Sequence, residues 1–340
     1  MDGDTLKISP RTSIVISSII SCILIFIIVY VYTNGKPGVI IEVLGRAYIP
    51  LIVLAISIRA LTPIVHGLSW FLANYICKVK ISVRDVIEIT LASLFAEYLI
   101  PIGGATEVAK ATFLSLKTGV GLDLAATTIA LHRLSTSLAM FTVTFVSILS
   151  LLAIGALHWT LSVVALISLG MVLLNAILFL IIRYKKFRTF LQRLSIKLRL
   201  ISSTSYTELP SLSLREFLLM FSLSLIERFS VIIAALLVSK ALGLELPFPL
   251  IVIIFDSIRV IVWLLPLITP GCIGIIDLLQ VSILKTLNIS ESYMAVLVLA
   301  VTSITLISNL PIMSYAALRV YGASLDKIVN LIRSAKGKKL

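Results

Sequence analysis

Charge is scarce in this sequence. Asp, Glu, Lys and Arg make up 13% of its 340 residues, about half the share that a soluble domain uses to cover its surface. A water-exposed globular fold is therefore excluded. Cysteine is limited to Cys22, Cys77 and Cys272, widely separated and forming neither a CxxC pair nor a Cys/His cluster. That spacing supports no disulfide scaffold, zinc site or dithiol redox centre. No GxSxG, Walker A, HExxH or dinucleotide-binding pattern occurs, so no catalytic residue, metal or cofactor is expected.

What the chain has instead is apolar length. Hydrophobic residues reach 59%, mean hydropathy is +1.12, and runs of the ~20 residues needed to cross a bilayer recur throughout. The runs lie approximately at 13–33, 44–64, 85–100, 120–150, 160–182, 216–240, 248–268 and 293–316. The first follows Lys7 and Arg11 but is too long for a signal-peptide core and lacks a small-residue cleavage site, so it is expected to be a retained span.

The net charge of +13 does not point to nucleic acid, because the basic residues gather in loops beside apolar runs. The 183–199 stretch holds Arg183, Lys185, Lys186, Arg188, Arg193, Lys197 and Arg199 without an acid; Lys78, Lys80 and Arg84 cluster in another loop, and the tail from Arg319 is basic. All three are expected at the cytoplasmic face of a cell membrane, with anionic lipid as counter-charge.

That placement requires two shorter segments, 101–117 and 269–287, each to pair with the helix before it. Both open on Pro/Gly breaks, are short for a span, and carry an acid that is costly in lipid. They are expected to be half-helices of re-entrant hairpins that enter from opposite faces. A shift of 170 residues lays Gly104, Glu107 and Lys110 on Gly274, Asp277 and Gln280, and Leu114, Ala125 and Ala130 on Leu284, Ala295 and Ala300. The expected architecture is an all-α polytopic bundle of about eight transmembrane helices plus two re-entrant half-helices, arranged as an inverted repeat around a midplane site. One domain covers 1–340, with half-repeats at about 85–150 and 248–316, a basic cytoplasmic loop at 183–215 and a basic tail at 319–340.

The candidate headgroup-binding residues follow from this plan. Gly103 and Gly104 permit a tight turn before a helix whose N-terminal N–H groups can receive an anion, and Glu107 and Lys110 share a face and can pair. Arg133 lies deep in the next run and needs a carboxylate, a phosphate or water; Glu97 and Glu107 are its candidate protein partners. Gly271, Gly274 and Asp277 are the counterparts in the second half. Secondary polar candidates are Glu97, His132, Glu227, Arg228, Asp256 and Arg259. Asp256 and Arg259 are spaced to neutralise one another, whereas adjacent Glu227 and Arg228 diverge and each require a partner elsewhere.

Pro101-Ile-Gly-Gly-Ala-Thr-Glu-Val-Ala-Lys110, Thr118-Gly119-Val120 and Ala130-Leu-His-Arg133, with the later Leu265-Pro-Leu-Ile-Thr-Pro-Gly-Cys-Ile-Gly-Ile-Ile-Asp277, resemble the two signatures of a known family. It is the flippase-like membrane region of lysylphosphatidylglycerol synthases and their stand-alone bacterial and archaeal relatives, and the resemblance runs from about residue 10 to 320. Against the family pattern, Cys272 replaces a glycine, Asp277 replaces a glutamate, and Thr302-Ser303 stand where a second arginine is expected. The chain ends soon after its last span, so no aminoacyl-transferase domain and no lysine transfer to lipid are expected. The resemblance implies a lipid translocase acting on an anionic phospholipid or polyprenyl-phosphate headgroup, without an ATPase. A transferase or accessory factor for polyprenyl-phosphate-linked sugars and a non-transporting scaffold are the alternatives; homo-oligomerisation is left open.

Overall fold

The computed structural model describes residues 10–32, 38–99, 104–153, 159–184, 212–258, 272–285 and 291–321. These form α1 (Pro10–Tyr32), α2 (Gly38–Gly45), α3 (Ile49–Ile76), α4 (Val83–Leu99), α5 (Ala105–Thr118), α6 (Leu122–Ala153), α7 (Trp159–Arg183), α8 (Leu214–Ala241), α9 (Phe248–Val252) running into a π-helical turn at Ile253–Ser257, α10 (Ile275–Lys285) and α11 (Glu291–Tyr321). No strand occurs among the described residues.

The largest departure from the hydropathy reading is α3. It begins at Ile49 because Pro50 suits a helix's first turn, with α2 and a short turn before it. It runs to Ile76 rather than ending near 64 because Arg59, Thr62, His66, Ser69 and Asn74 are buried. Those polar groups lower the hydropathy without ending the helix. At α8, Ser213 and Glu216 form a reciprocal cap: the Glu216 N–H donates to Ser213 Oγ at 3.2 Å, and the Ser213 N–H donates to Glu216 Oε2 at 3.0 Å.

α3 and α8 form the antiparallel centre of the bundle. Ser69, His66 and Thr62 face Ser224, Glu227 and Ser230 in order, through contacts of 3.4, 3.0 and 2.8 Å. At one end of the pair, the Tyr48 N–H donates to the Ala241 carbonyl at 2.9 Å. At the other end, Ile76, Cys77, Val79, Phe113, Leu212 and Phe217 share one apolar cluster. Large apolar side chains such as Leu166, Leu173, Ile226, Ile307 and Leu318 point outward, while hydroxyls, His66, His132, Lys110 and Asp256 are buried. This inside-out distribution is that of a protein solvated by lipid. Five helices among the described residues are long and apolar enough to cross a membrane: Ile49–Ile76, Leu122–Ala153, Leu166–Arg183, Leu214–Ala241 and Tyr293–Val320.

α4 and α5 pack as a hairpin. Lys117, in the last turn of α5, reaches Asp85, in the first turn of α4, at 3.1 Å. At that same end, Glu88 of α4 takes Arg84 at 3.0 Å and Arg319, near the end of α11, at 3.1 Å. α10 meets the π turn before it through Gln280, whose Nε2 donates to the Ile254 carbonyl at 2.9 Å. Val281 and Leu284 of α10 pack with Leu242, Leu250 and Met294 in the cluster at the opposite end of the bundle. The two short helices therefore open toward opposite ends.

Their starts have the same backbone. Gly104 and Gly274 both hold positive φ, +80° and +87°, a region that glycine occupies without strain. Each accepts the first hydrogen bond of its helix, from Val108 at 3.0 Å and from Leu278 at 2.9 Å. Cys272 also has positive φ, +58°, a region that glycine occupies more readily than a side-chain-bearing residue.

Candidate functional site

Two polar assemblies occupy the interior near mid-depth, where Glu227 and Arg228 fall at the centre of the 28-residue α8. The first is a chain of side chains crossing four elements. Lys110 Nζ of α5 lies 2.8 Å from His66 Nε2 of α3. His66 Nδ1 lies 3.0 Å from Glu227 Oε2 of α8. Arg228 Nη2 donates to Glu227 Oε1 at 2.6 Å, and Arg228 Nη1 to Asp256 Oδ1 of the π turn at 3.2 Å. Lys110 and Asp256 are, respectively, 1% and 0% exposed, so the ends of the chain are sealed from lipid. Trp70 lines one side: Lys110 Nζ stands 5.1 Å from its ring centroid, and its indole N–H donates to Thr128 at 3.1 Å. His132 stands edge-on to His66, with ring centroids 4.5 Å apart.

The second assembly is a cavity of about 50 Å³, room for a few waters or one charged group. Arg59 of α3, Asp277 and Gln280 of α10, and Thr302 and Thr305 of α11 supply its polar wall. Tyr98 from the end of α4 and Cys272 and Ile273 from the start of the α10 segment also line it, so these two segments approach one another here. Arg59 Nε donates to Thr305 Oγ1 at 3.1 Å. Thr302 donates its hydroxyl to Asp277 Oδ1, while Asp277 Oδ2 accepts from the Gly274 N–H at 2.8 Å. The carboxylate thus caps its own helix and is held from α11 as well.

Several expected pairings are redistributed. Glu107 and Lys110 do not form the local pair that their spacing allows: Glu107 binds Arg133 of α6, and Lys110 turns inward to His66. Residues three apart on a helix still diverge by about 60°, and each side chain meets a different neighbouring helix. Glu227 and Arg228 do bond to one another, contrary to the divergence expected of sequence neighbours, because the guanidinium reaches back to Oε1 while its other nitrogen reaches Asp256. Asp256 receives Arg228 at 3.2 Å; the expected Asp256–Arg259 pair involves Arg259, which lies outside the described residues, as do Gly103 and Gly271. Glu97 accepts from Thr106 at 2.9 Å, tying α4 to α5. Neither ring nitrogen of His132 has a hydrogen-bond partner among the described residues.

His66 and Arg59 were missed from sequence. Both lie on the long α3, outside the two signature segments. The signal available for them was helical spacing: Arg59, Thr62, His66 and Ser69 recur at three- and four-residue steps on one face of an otherwise apolar run. Arg59 also bears on the missing second-half arginine. Thr302 occupies that region and serves Asp277, while a cation arrives at the same cavity from α3.

The helices, their apolar exterior and their buried charge define a polytopic α-helical membrane protein. The family model described as the lysylphosphatidylglycerol synthase TM region matches residues 14–312, and the chain belongs to that family. No curated protein matches it.

Proposed function

We propose that this protein moves the charged headgroup of a membrane lipid, an anionic phospholipid or a polyprenyl-phosphate-linked group, between leaflets while the tails stay in hydrocarbon. The observation that carries this reading is the cavity between the hairpins. Arg59 gives it a cation, Thr302 and Thr305 give it hydroxyls, and Asp277 gives it a fixed carboxylate at mid-membrane. Charged groups at that depth are costly unless a polar pathway requires them. The volume suits the charged end of a lipid and not the whole molecule. Glu107, Lys110 and Arg133 form the corresponding polar face of the first hairpin. By the positive-inside rule, the end of the bundle bearing Arg84, Lys117 and Arg319 faces the cytoplasm.

The test is reconstitution of the full chain into liposomes carrying fluorescent phosphatidylglycerol or polyprenyl-phosphate probes, followed by dithionite quenching of the outer leaflet. Wild type moves at least one probe faster than empty liposomes, and R59Q and D277N slow that movement about tenfold, the loss of ~1.4 kcal/mol of stabilisation in the rate-limiting state. Rates equal to empty liposomes for both probes end the proposal.

A further inference from the structure

The chain Lys110, His66, Glu227, Arg228, Asp256 has a feature that headgroup binding does not use. Its second member, His66, is engaged on both ring nitrogens, at 2.8 Å by Lys110 Nζ and at 3.0 Å by Glu227 Oε2. A lysine ammonium has only donors, and so does an imidazolium. With Glu227 ionised, the arrangement is satisfied by one proton on His66 Nδ1, donated to Glu227, and a lone pair on Nε2 that accepts from Lys110. A second proton on the ring has one place to go, Nε2, and there it faces the lysine donor across 2.8 Å. The contact must then break, or Lys110 must give up a proton.

His132 supplies what that event needs. It is fully buried, it sits edge-on to His66 at 4.5 Å between ring centroids, and both its nitrogens lack hydrogen-bond partners among the described residues. A neutral imidazole always presents one acceptor nitrogen. A buried acceptor next to a lysine that is about to lose its own is a second seat for that lysine.

We infer that His66 is a proton-binding site that couples protonation to movement of the first hairpin, with His132 as the alternative acceptor for Lys110. In the step, a hydronium ion gives its proton to the Nε2 lone pair of His66: one O–H bond breaks, one N–H bond forms, and a neutral water is left. Lys110 keeps its ammonium and leaves His66 for His132. Because Lys110 belongs to α5, this releases a polar tie between that half-helix and α3. Other side-chain ties of α5 run to Glu97 and Asp85 of α4 and to Arg133 of α6. The charged groups that act on His66 directly are Lys110 from α5, Glu227 from α8 and Arg133 from α6; Glu107 pairs with Arg133, Arg228 with Glu227 and Asp256, and Glu97 from α4 acts on Lys110. The inference rests on the translocase reading only for what the movement accomplishes.

Two measurements test it separately. The chain has three histidines, His66, His132 and His158, so the full-length protein labelled with ¹⁵N-histidine in detergent gives an assignable imidazole spectrum, with H132Q and H158Q as assignment variants. Lowering the pH from about 8 to about 3 is expected to convert His66 from one neutral tautomer to imidazolium. Removing the neighbouring ammonium in K110M is expected to raise its proton affinity about tenfold or more, and K110R, which keeps the charge, restores the wild-type midpoint. A His66 ring that stays neutral throughout, or titrates identically in wild type and K110M, overturns the inference. The second measurement is probe movement in proteoliposomes under an imposed pH gradient. A rate that depends about tenfold on the gradient in wild type and loses that dependence in H66Q supports coupling. An equal gradient dependence in H66Q overturns it. Titration of His66 with no probe movement under any condition defeats the translocase reading while retaining the proton site.

Discussion

Lys117 Nζ lies 3.1 Å from Asp85 Oδ1, so the residue that closes α5 sits beside the one that opens α4. Two consecutive crossings of the membrane would also bring these ends together, but α4 has 17 residues and α5 has 14, about 25 and 21 Å of helix at 1.5 Å per residue. Neither readily covers ~30 Å of hydrocarbon. The double variant D85C/K117C is expected to form a disulfide on mild oxidation in intact membranes, seen as altered gel mobility of the full chain. Failure to cross-link would place the two ends apart. The ion pair itself contributes little, since Lys117 is 57% exposed, and K117M is expected to change thermal stability by less than about 1 kcal/mol.

The Glu107–Arg133 pair lies deeper, each side chain 28% exposed. Removing one member leaves the other poorly solvated, a loss of about 3–5 kcal/mol for fully buried pairs. Partial exposure reduces this to about 1–3 kcal/mol here. E107Q and R133Q are each expected to lower the unfolding midpoint in detergent, and the double variant E107Q/R133Q is expected to recover part of the loss. A double variant as unstable as the sum of the singles would show that the two residues do not act on one another.

Gly104 and Gly274 share a backbone conformation and differ in surroundings. A Cβ on Gly104 meets nothing closer than Glu107 Oε2 at 3.9 Å, whereas a Cβ on Gly274 would stand 2.7 Å from Leu24 Cβ and 3.3 Å from the Ser21 carbonyl oxygen of α1. G104A therefore carries only the left-handed backbone cost of about 1–2 kcal/mol. G274A adds an overpacking term of about 1–3 kcal/mol. Thermal unfolding of both variants should rank G274A clearly below G104A, and equal midpoints would contradict the α1 contact.

Cys77 ends α3 in the apolar cluster beside Val79 and Phe113, and burial pushes its thiol up to about 12. A thiol held protonated is a poor nucleophile. Maleimide is expected to label Cys77 in the native protein at a small fraction of the rate seen after denaturation. Fast labelling at neutral pH would mean that this end of the bundle opens readily.

Much of the architecture was legible in the sequence because lipid imposes a simple rule. Spans must be long and apolar, so α1, α6, α7, α8 and α11 stand close to where hydropathy places them. The starts of two short helices were equally visible: Pro/Gly breaks followed by an acid mark Gly104 with Glu107 and Gly274 with Asp277, and the structure starts α5 and α10 directly after those glycines. Charged residues in apolar runs could likewise be named as needing partners.

Which partners they take was decided by the tertiary structure. Helical spacing constrains neighbours on one helix, but a buried side chain bonds to whatever the adjacent helix presents, and that depends on the rotation and depth of both. Lys110 meets His66 and not Glu107, Asp256 meets Arg228, and Arg59 arrives at the cavity where the second half lacks its arginine. The length of α3 belongs to the same category. Its polar stripe reads as the end of a span until α8 supplies Glu227, Ser230 and Ser224 to receive it. Sequence alone therefore determined that this chain is a helical membrane protein with short helices opening on Gly104 and Gly274, because lipid acts on each segment separately. Only the packed bundle determined its charge network, because hydrogen bonds in a low-dielectric interior form between segments far apart in the chain.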